Sequence, residues 1–191
     1  SPYIWYSNSG SDPGVWEDLS ENGHNASQAS AASRPAIAIG QNGLQVRNFD
    51  GIDDFFTFSS PSVSQPAEIW MVYSSSSGPI FSKGITAGTC EVIGFDFITG
   101  SGFDCLYAGS GLAEFAPSES FQVLRTVFNG PASVVERNGA SLTLFGNPGP
   151  GGMSGAGYIG TNSGVFGYSA MSVGEILILP PLSTENASSL T

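Results

Sequence analysis

NFDGIDDFFTF, residues 48–58, sets three aspartates among four phenylalanines in a chain otherwise sparing with charge. Three readings compete for it: a catalytic carboxylate cluster, a metal site, or two strands joined by a tight turn. Asp50-Gly51 suits a tight turn, because both residue types tolerate positive φ. Alternation then sets Phe56 beside Phe58 on one face of the returning strand and Phe55 on the other. On this reading most of the stretch is architecture, with Asp50, Asp53 and Asp54 accepting hydrogen bonds from turn amides.

The same habit continues along the chain in both directions. Short runs of β-branched and aromatic residues, such as LQVRNF (44–49), AEIWMVYS (67–74), FQVLRTVF (121–128) and MSVGEILIL (171–179), are bounded by Gly, Asn, Pro or Ser. With 26 glycines, 12 prolines and only 11% charged residues, salt-bridged helices are disfavoured and an all-β fold is expected. A dozen such strands without helical periodicity predict a two-sheet antiparallel jelly-roll sandwich. Asn129-Gly130 and Asn138-Gly139 predict a three-stranded meander over residues 121–145. A single short helix is expected at the carboxyl end, with Ser183 as its N-cap and Glu185 in its first turn. Residues 1–191 read as one domain without internal repeat, and the opening SPYIWYSNSG suggests a piece of a longer or processed polypeptide.

The net charge is -11, and the cations are Lys83, Arg34, Arg47, Arg125 and Arg137, scattered along the chain. Binding a phosphate backbone needs clustered cations, so nucleic acid is excluded as a partner. The same deficit argues against anionic lipid, and no apolar run approaches the ~20 residues of a membrane-spanning helix. Cys90 and Cys105 fit no zinc or redox spacing, and either one disulfide or two separate buried thiols is compatible with them.

Glycan hydrolysis on packed sheets usually needs two carboxylates about 5 to 9 Å apart. Along one strand such a pair shows as acidic residues two apart, and Asp96, Glu136 and Glu175 each stand alone on their strands. His24 is the sole histidine, and no G-x-S-x-G elbow exposes a serine. From these absences the chain is expected not to be an enzyme. Trp5 and Trp70, lying within strand runs, are assigned to packing.

Four segments in order resemble a known family. VWEDLSENGHNASQASAASRP (15–35), NGLQVRNFDGIDDFF (42–56), VVERNGASL (134–142) and the closing GYIGTNSG with MSVGEILILPPLSTEN (157–164 and 171–186) are similar to concanavalin A-like, laminin-G-like jelly-roll modules. The resemblance implies a non-catalytic extracellular binding or adhesion module that recognises a glycan or surface protein. Its alternative is a decoration, fibre or spike domain of a virion or bacterial surface assembly, meeting other subunits there. It also implies a structural calcium ion near a sheet rim, for which Asp18, Asn22, Asp50 and Asp53 are the oxygen donors. For a sugar ring, Trp16, Tyr107 and Tyr158 are the candidate aromatic platforms.

Overall fold

A computed structural model describes residues 4–7, 10–59, 62–75, 78–83, 91–95, 103–109, 112–116, 118–162 and 166–179, and of 91–95, 112 and 166 the backbone alone. Every named strand pair is antiparallel, and the helical pieces among the described residues are two 3-10 turns, Ala31–Ser33 and Gln41–Gly43. The expected carboxyl-terminal helix, Asp96 and Cys90 lie outside the described residues; Cys105 is buried.

Two large sheets carry the fold. In the first, the strands run in the spatial order Ala140–Ser141, Val134–Arg137, Gln122–Phe128, Ala67–Ser75, Ala170–Leu179, Gln45–Asp50 and Ala36–Ile39. Ile4–Ser7 pairs with the far half of Ala170–Leu179, opposite residues 175–178. Among the described residues the second sheet has nine strands, with Gly78–Lys83 and Ala156–Ile159 near its centre and Phe56–Ser59 beside them. Between the sheets lies one core. Tyr6 and Phe49 of the first sheet meet Trp16, Phe58 and Phe56 of the second, with ring centroids 5.4 to 6.1 Å apart. Edge-on and tilted ring contacts of this kind add to the apolar area that each ring removes from water.

Strand alternation explains which residues enter that core. Ala67–Ser75 points Ile69, Met71 and Tyr73 inward, each at most 1% exposed. Its other face carries Glu68, Trp70, Val72 and Ser74.

The opening stretch proves to be a corner between sheets instead of a hairpin. Gln45–Asp50 belongs to the first sheet and Phe56–Ser59 to the second, so the chain changes layer across residues 51–55. Gly51 (φ 79) makes the bend, and Asp50 Oδ1 accepts hydrogen bonds from the amides of Ile52 and Asp53. Phe56 and Phe58 face the core together, while Phe55 packs outside against Tyr168.

Of the meander expected over residues 121–145, three strands pair in order but the last is only Ala140–Ser141, and one of the two turns has the expected tight geometry. Asn138 and Gly139 both take positive φ, 51 and 79. The Asn129-Gly130 connection is wider, running to residue 133, with Ala132 N donating to Asn129 O. Pro131 explains this: a two-residue turn needs an amide donor at that position, and proline has none.

Candidate functional site

The outward face of the first sheet gathers side chains that a sheet face exposed to water does not need. Strand register sets five of them in one row across five strands: Glu136, Arg125, Trp70, Leu177 and Trp5. Trp5 is 40% exposed. Arg125 stacks over the Trp70 ring at 5.6 Å from its centroid, an arrangement favoured by the ring's negative face.

Arg125 also joins two carboxylates from different strands. Its Nε donates to Glu68 Oε1 at 2.7 Å, and its Nη1 lies 3.2 Å from Glu136 Oε2. Trp70 Nε1 donates to the same Glu68 oxygen at 2.6 Å. Sharing one guanidinium places these two carboxylates within the ~9 Å upper separation of glycosidase acid pairs. The Glu68 side chain is 2% exposed and that of Glu136 28%, so Glu136 is the member that reaches solvent. Their attraction raises the pKa of Arg125 above the ordinary guanidinium value.

Depressions run along this face. One of about 160 Å³ is lined by Trp70, Val72, Val123, Glu175 and Leu177, and one of about 260 Å³ shares Val72 and Glu175 with it. Trp5 Nε1 donates to Glu175 Oε1 at 2.5 Å, which fixes both at the rim. The turn at residues 41–44 forms the wall of the larger depression together with Phe121. Gly40 permits that wall, because a methyl there would meet Val46 Cγ1 at 2.5 Å and Phe121 Cζ at 3.3 Å. Farther along the strand a third depression holds Asn48, Ser74, Glu119 and Ser172.

The residues expected as sugar platforms lie elsewhere. Trp16 is 1% exposed, with Tyr6 and Phe56 against its ring and its Nε1 donating to Ser7 O. Both of its faces are therefore occupied by the core. Tyr107 and Tyr158 are half-buried on the second sheet, in one register row with the backbone of Val92 and Ser82 between them. Trp5 and Trp70, assigned to packing from the sequence, are the tryptophans that face outward. The signal that could have found them is the alternation within AEIWMVYS, which puts Trp70 on the face opposite Ile69 and Met71.

The expected calcium donors divide into two groups. One carboxylate oxygen each from Asp50, Asp53 and Asp54 lies within 4.8 Å of the others, and these three could hold a cation. Asp54 is buried, and burial followed by the neighbouring charges of Asp50 and Asp53 raises its pKa; a hydrogen bond from Asp50 N opposes that shift. Asp18 is not part of this group. Its carboxylate accepts from the amides of Trp5, Ser20 and His24, each at 3.0 Å, and these bonds outweigh burial and hold its pKa below the usual value. Asn22 Nδ2 donates to Ser20 O and Oγ, within the same loop. Asp18 thus pins the backbone that carries Trp5, and it does so with lone pairs that a metal would otherwise take.

No protein-family model matches the sequence, and no curated protein matches it. Solved structures do share the fold. An arabinofuranosidase complexed with arabinofuranosyl-alpha-1,2-xylobiose superposes with a TM-score of 0.65 at 9% identity, covering 92% of this chain and 48% of that one. A GH54 α-L-arabinofuranosidase soaked with a cyclic sulfate inhibitor gives 0.63 at 11% identity, with the same coverage. A sialidase of Trypanosoma rangeli, in complex with 2,3-difluorosialic acid, gives 0.60 at 14% identity over 98% of this chain and 32% of that one. The chain thus spans about half or a third of the length of the structures it resembles. Its architecture is a β-rich sandwich of the kind found in glycosidases.

These neighbours overturn the expectation of a non-enzymatic binding, adhesion or virion-surface module, because the architecture is one that glycoside hydrolases use. That expectation rested on a family resemblance, on a single histidine without a serine elbow, and on carboxylates counted along single strands. Glu68 and Glu136 meet between strands, through Arg125, where such a count is blind.

Proposed function

We propose that this chain is the carbohydrate-active sandwich of a glycoside hydrolase, built as a jelly roll of the concanavalin A-like, laminin-G-like kind. The glycan lies across the outward face of the first sheet. Indole rings suit it because a sugar ring is apolar on its faces and hydroxylated at its rim. Trp5 and Trp70 supply the platforms, and the carboxylates of Glu136 and Glu175 accept hydroxyl protons. Glu136 takes a proton from the water that attacks the anomeric carbon and returns one to the glycosidic oxygen as the C–O bond breaks, with Glu68 beside it and Arg125 compensating their charge. The observation that supports this most is the registered row of Trp5, Trp70, Arg125 and Glu136 on an open sheet face.

Hydrolysis of a panel of aryl arabinofuranosides, xylosides, glucosides and galactosides tests the reading. Cleavage by the wild type is expected, reduced at least about 100-fold in Glu136→Gln, the usual loss when a general acid or base is removed. Absence of cleavage by a folded wild type across the panel would sink the reading.

A further inference from the structure

Resting on the glycan reading above, we infer that the outward face of the first sheet takes uncharged oligosaccharides and rejects those carrying carboxylates, such as sialylated or uronic-acid chains. The argument is the charge inventory of the face. Glu68, Glu136 and Glu175 stand on it, and Glu119 lines its far depression. Among the described residues the one cation on this face is Arg125, so four carboxylates oppose a single guanidinium.

Recognition of an acidic sugar normally uses an arginine whose planar fork is open to the incoming carboxylate. Arg125 is committed on three sides: Nε to Glu68, Nη1 to Glu136, and its plane over the Trp70 ring. Freeing it would leave Glu68 buried without its cation, which is costly. Likeness in fold to a sialidase therefore gives no ground for expecting an acidic sugar on this face.

What the face does offer matches a neutral sugar. Hydroxyl groups are donors, and the carboxylates of Glu136 and Glu175, engaged by one guanidinium and one indole respectively, keep lone pairs to spare, whereas buried Glu68 already holds both Arg125 and Trp70. The two depressions sharing Val72 and Glu175 put apolar surface from Trp70, Val123, Leu44 and Leu177 directly beside those acceptors. The far depression, with Asn48, Ser74, Glu119 and Ser172, repeats polar acceptors and donors along Ala67–Ser75, roughly 17 Å of strand from residue 70 to 75. Such a length suits several sugar units.

Matched pairs of ligands test this: lactose against sialyllactose, and xylo-oligosaccharides against their uronic-acid-substituted forms, titrated calorimetrically into the full chain. The neutral member is expected to bind at least about tenfold tighter, since two or three uncompensated like charges repel the acidic one even near water's dielectric. That gap should narrow as salt is raised from 10 to 300 mM, because screening weakens the repulsion. Trp5→Ala and Trp70→Ala are expected to weaken neutral binding; unchanged binding in both would place the ligand elsewhere and overturn the inference. Equal or tighter binding of the acidic members overturns it while leaving a glycan-active face intact. Neutral binding without any cleavage supports it and removes the hydrolase reading alone. Binding of neither class overturns both.

Discussion

Asp104 carries a carboxyl group that the core does not easily hydrate. It is 3% exposed on the strand Asp104–Ala108, and burial pushes its pKa up to about 7, against the partial compensation of Arg137 Nη2 at 3.3 Å. A folded-state pKa above the unfolded value of 3.8 means that this group's contribution to stability is full below about pH 4. The contribution is lost as pH rises through about 7, because the unfolded chain ionises first. Thermal melting of the wild type and Asp104→Asn at pH 4.5 and pH 8 measures it. Whatever offset the substitution brings, the melting temperature of the variant relative to wild type should move upward between the two pH values. A constant gap would mean that the carboxyl is solvated. The sequence around Asp104 carries no sign of its burial, since burial depends on which sheet lies opposite. Asp18 runs the other way: its depressed pKa makes it a stabilising anchor above pH 3.8, lost as pH falls below that.

At the scale of elements, the second sheet depends on a close approach between Ala156–Ile159 and Phe56–Ser59. Gly157 pairs with Phe58, whose ring lies over it; a methyl at Gly157 would sit 2.1 Å from Phe58 Cζ. Phe58 cannot swing away freely, since it packs against Tyr6 and Phe81 with centroids 5.8 and 5.9 Å distant. Gly157→Ala is therefore expected to cost about 3 kcal/mol, or roughly 6–12 °C in melting temperature. Adding Phe58→Leu should recover part of that loss, and a Gly157→Ala protein melting with the wild type would contradict the packing described. Most strands were legible as elements, because alternation and turn residues are local signals. Ala36–Ile39 and Leu112–Phe115 were not, being short strands half made of alanine or glutamate, which carry little strand preference. The closing strand expected for the meander is two ends, Ala140–Ser141 in the first sheet and Phe145–Gly146 in the second. Layer changes of this kind are decided by where the chain must go next.

For the whole molecule, sixteen acidic residues against five lysines and arginines leave a net charge of -11 on 191 residues. Self-repulsion across such a surface falls as salt shortens the Debye length from about 30 Å at 10 mM to about 8 Å at 150 mM. The melting temperature is expected to rise by a few degrees over that range of sodium chloride. A fall would show that the ion pairs of Arg125 and Arg137 outweigh the general repulsion. Composition and the period-two pattern were enough to determine an all-β chain, its acidity and most of its strands, because these follow from each residue's own preferences and near neighbours. Only the tertiary structure decided that residues 48–58 cross between sheets, that Trp16 is core while Trp5 and Trp70 face outward, and that Glu68 and Glu136 share Arg125. Those outcomes depend on which strands become neighbours, and residues 57 or 68 positions apart in the chain carry no local signal of meeting.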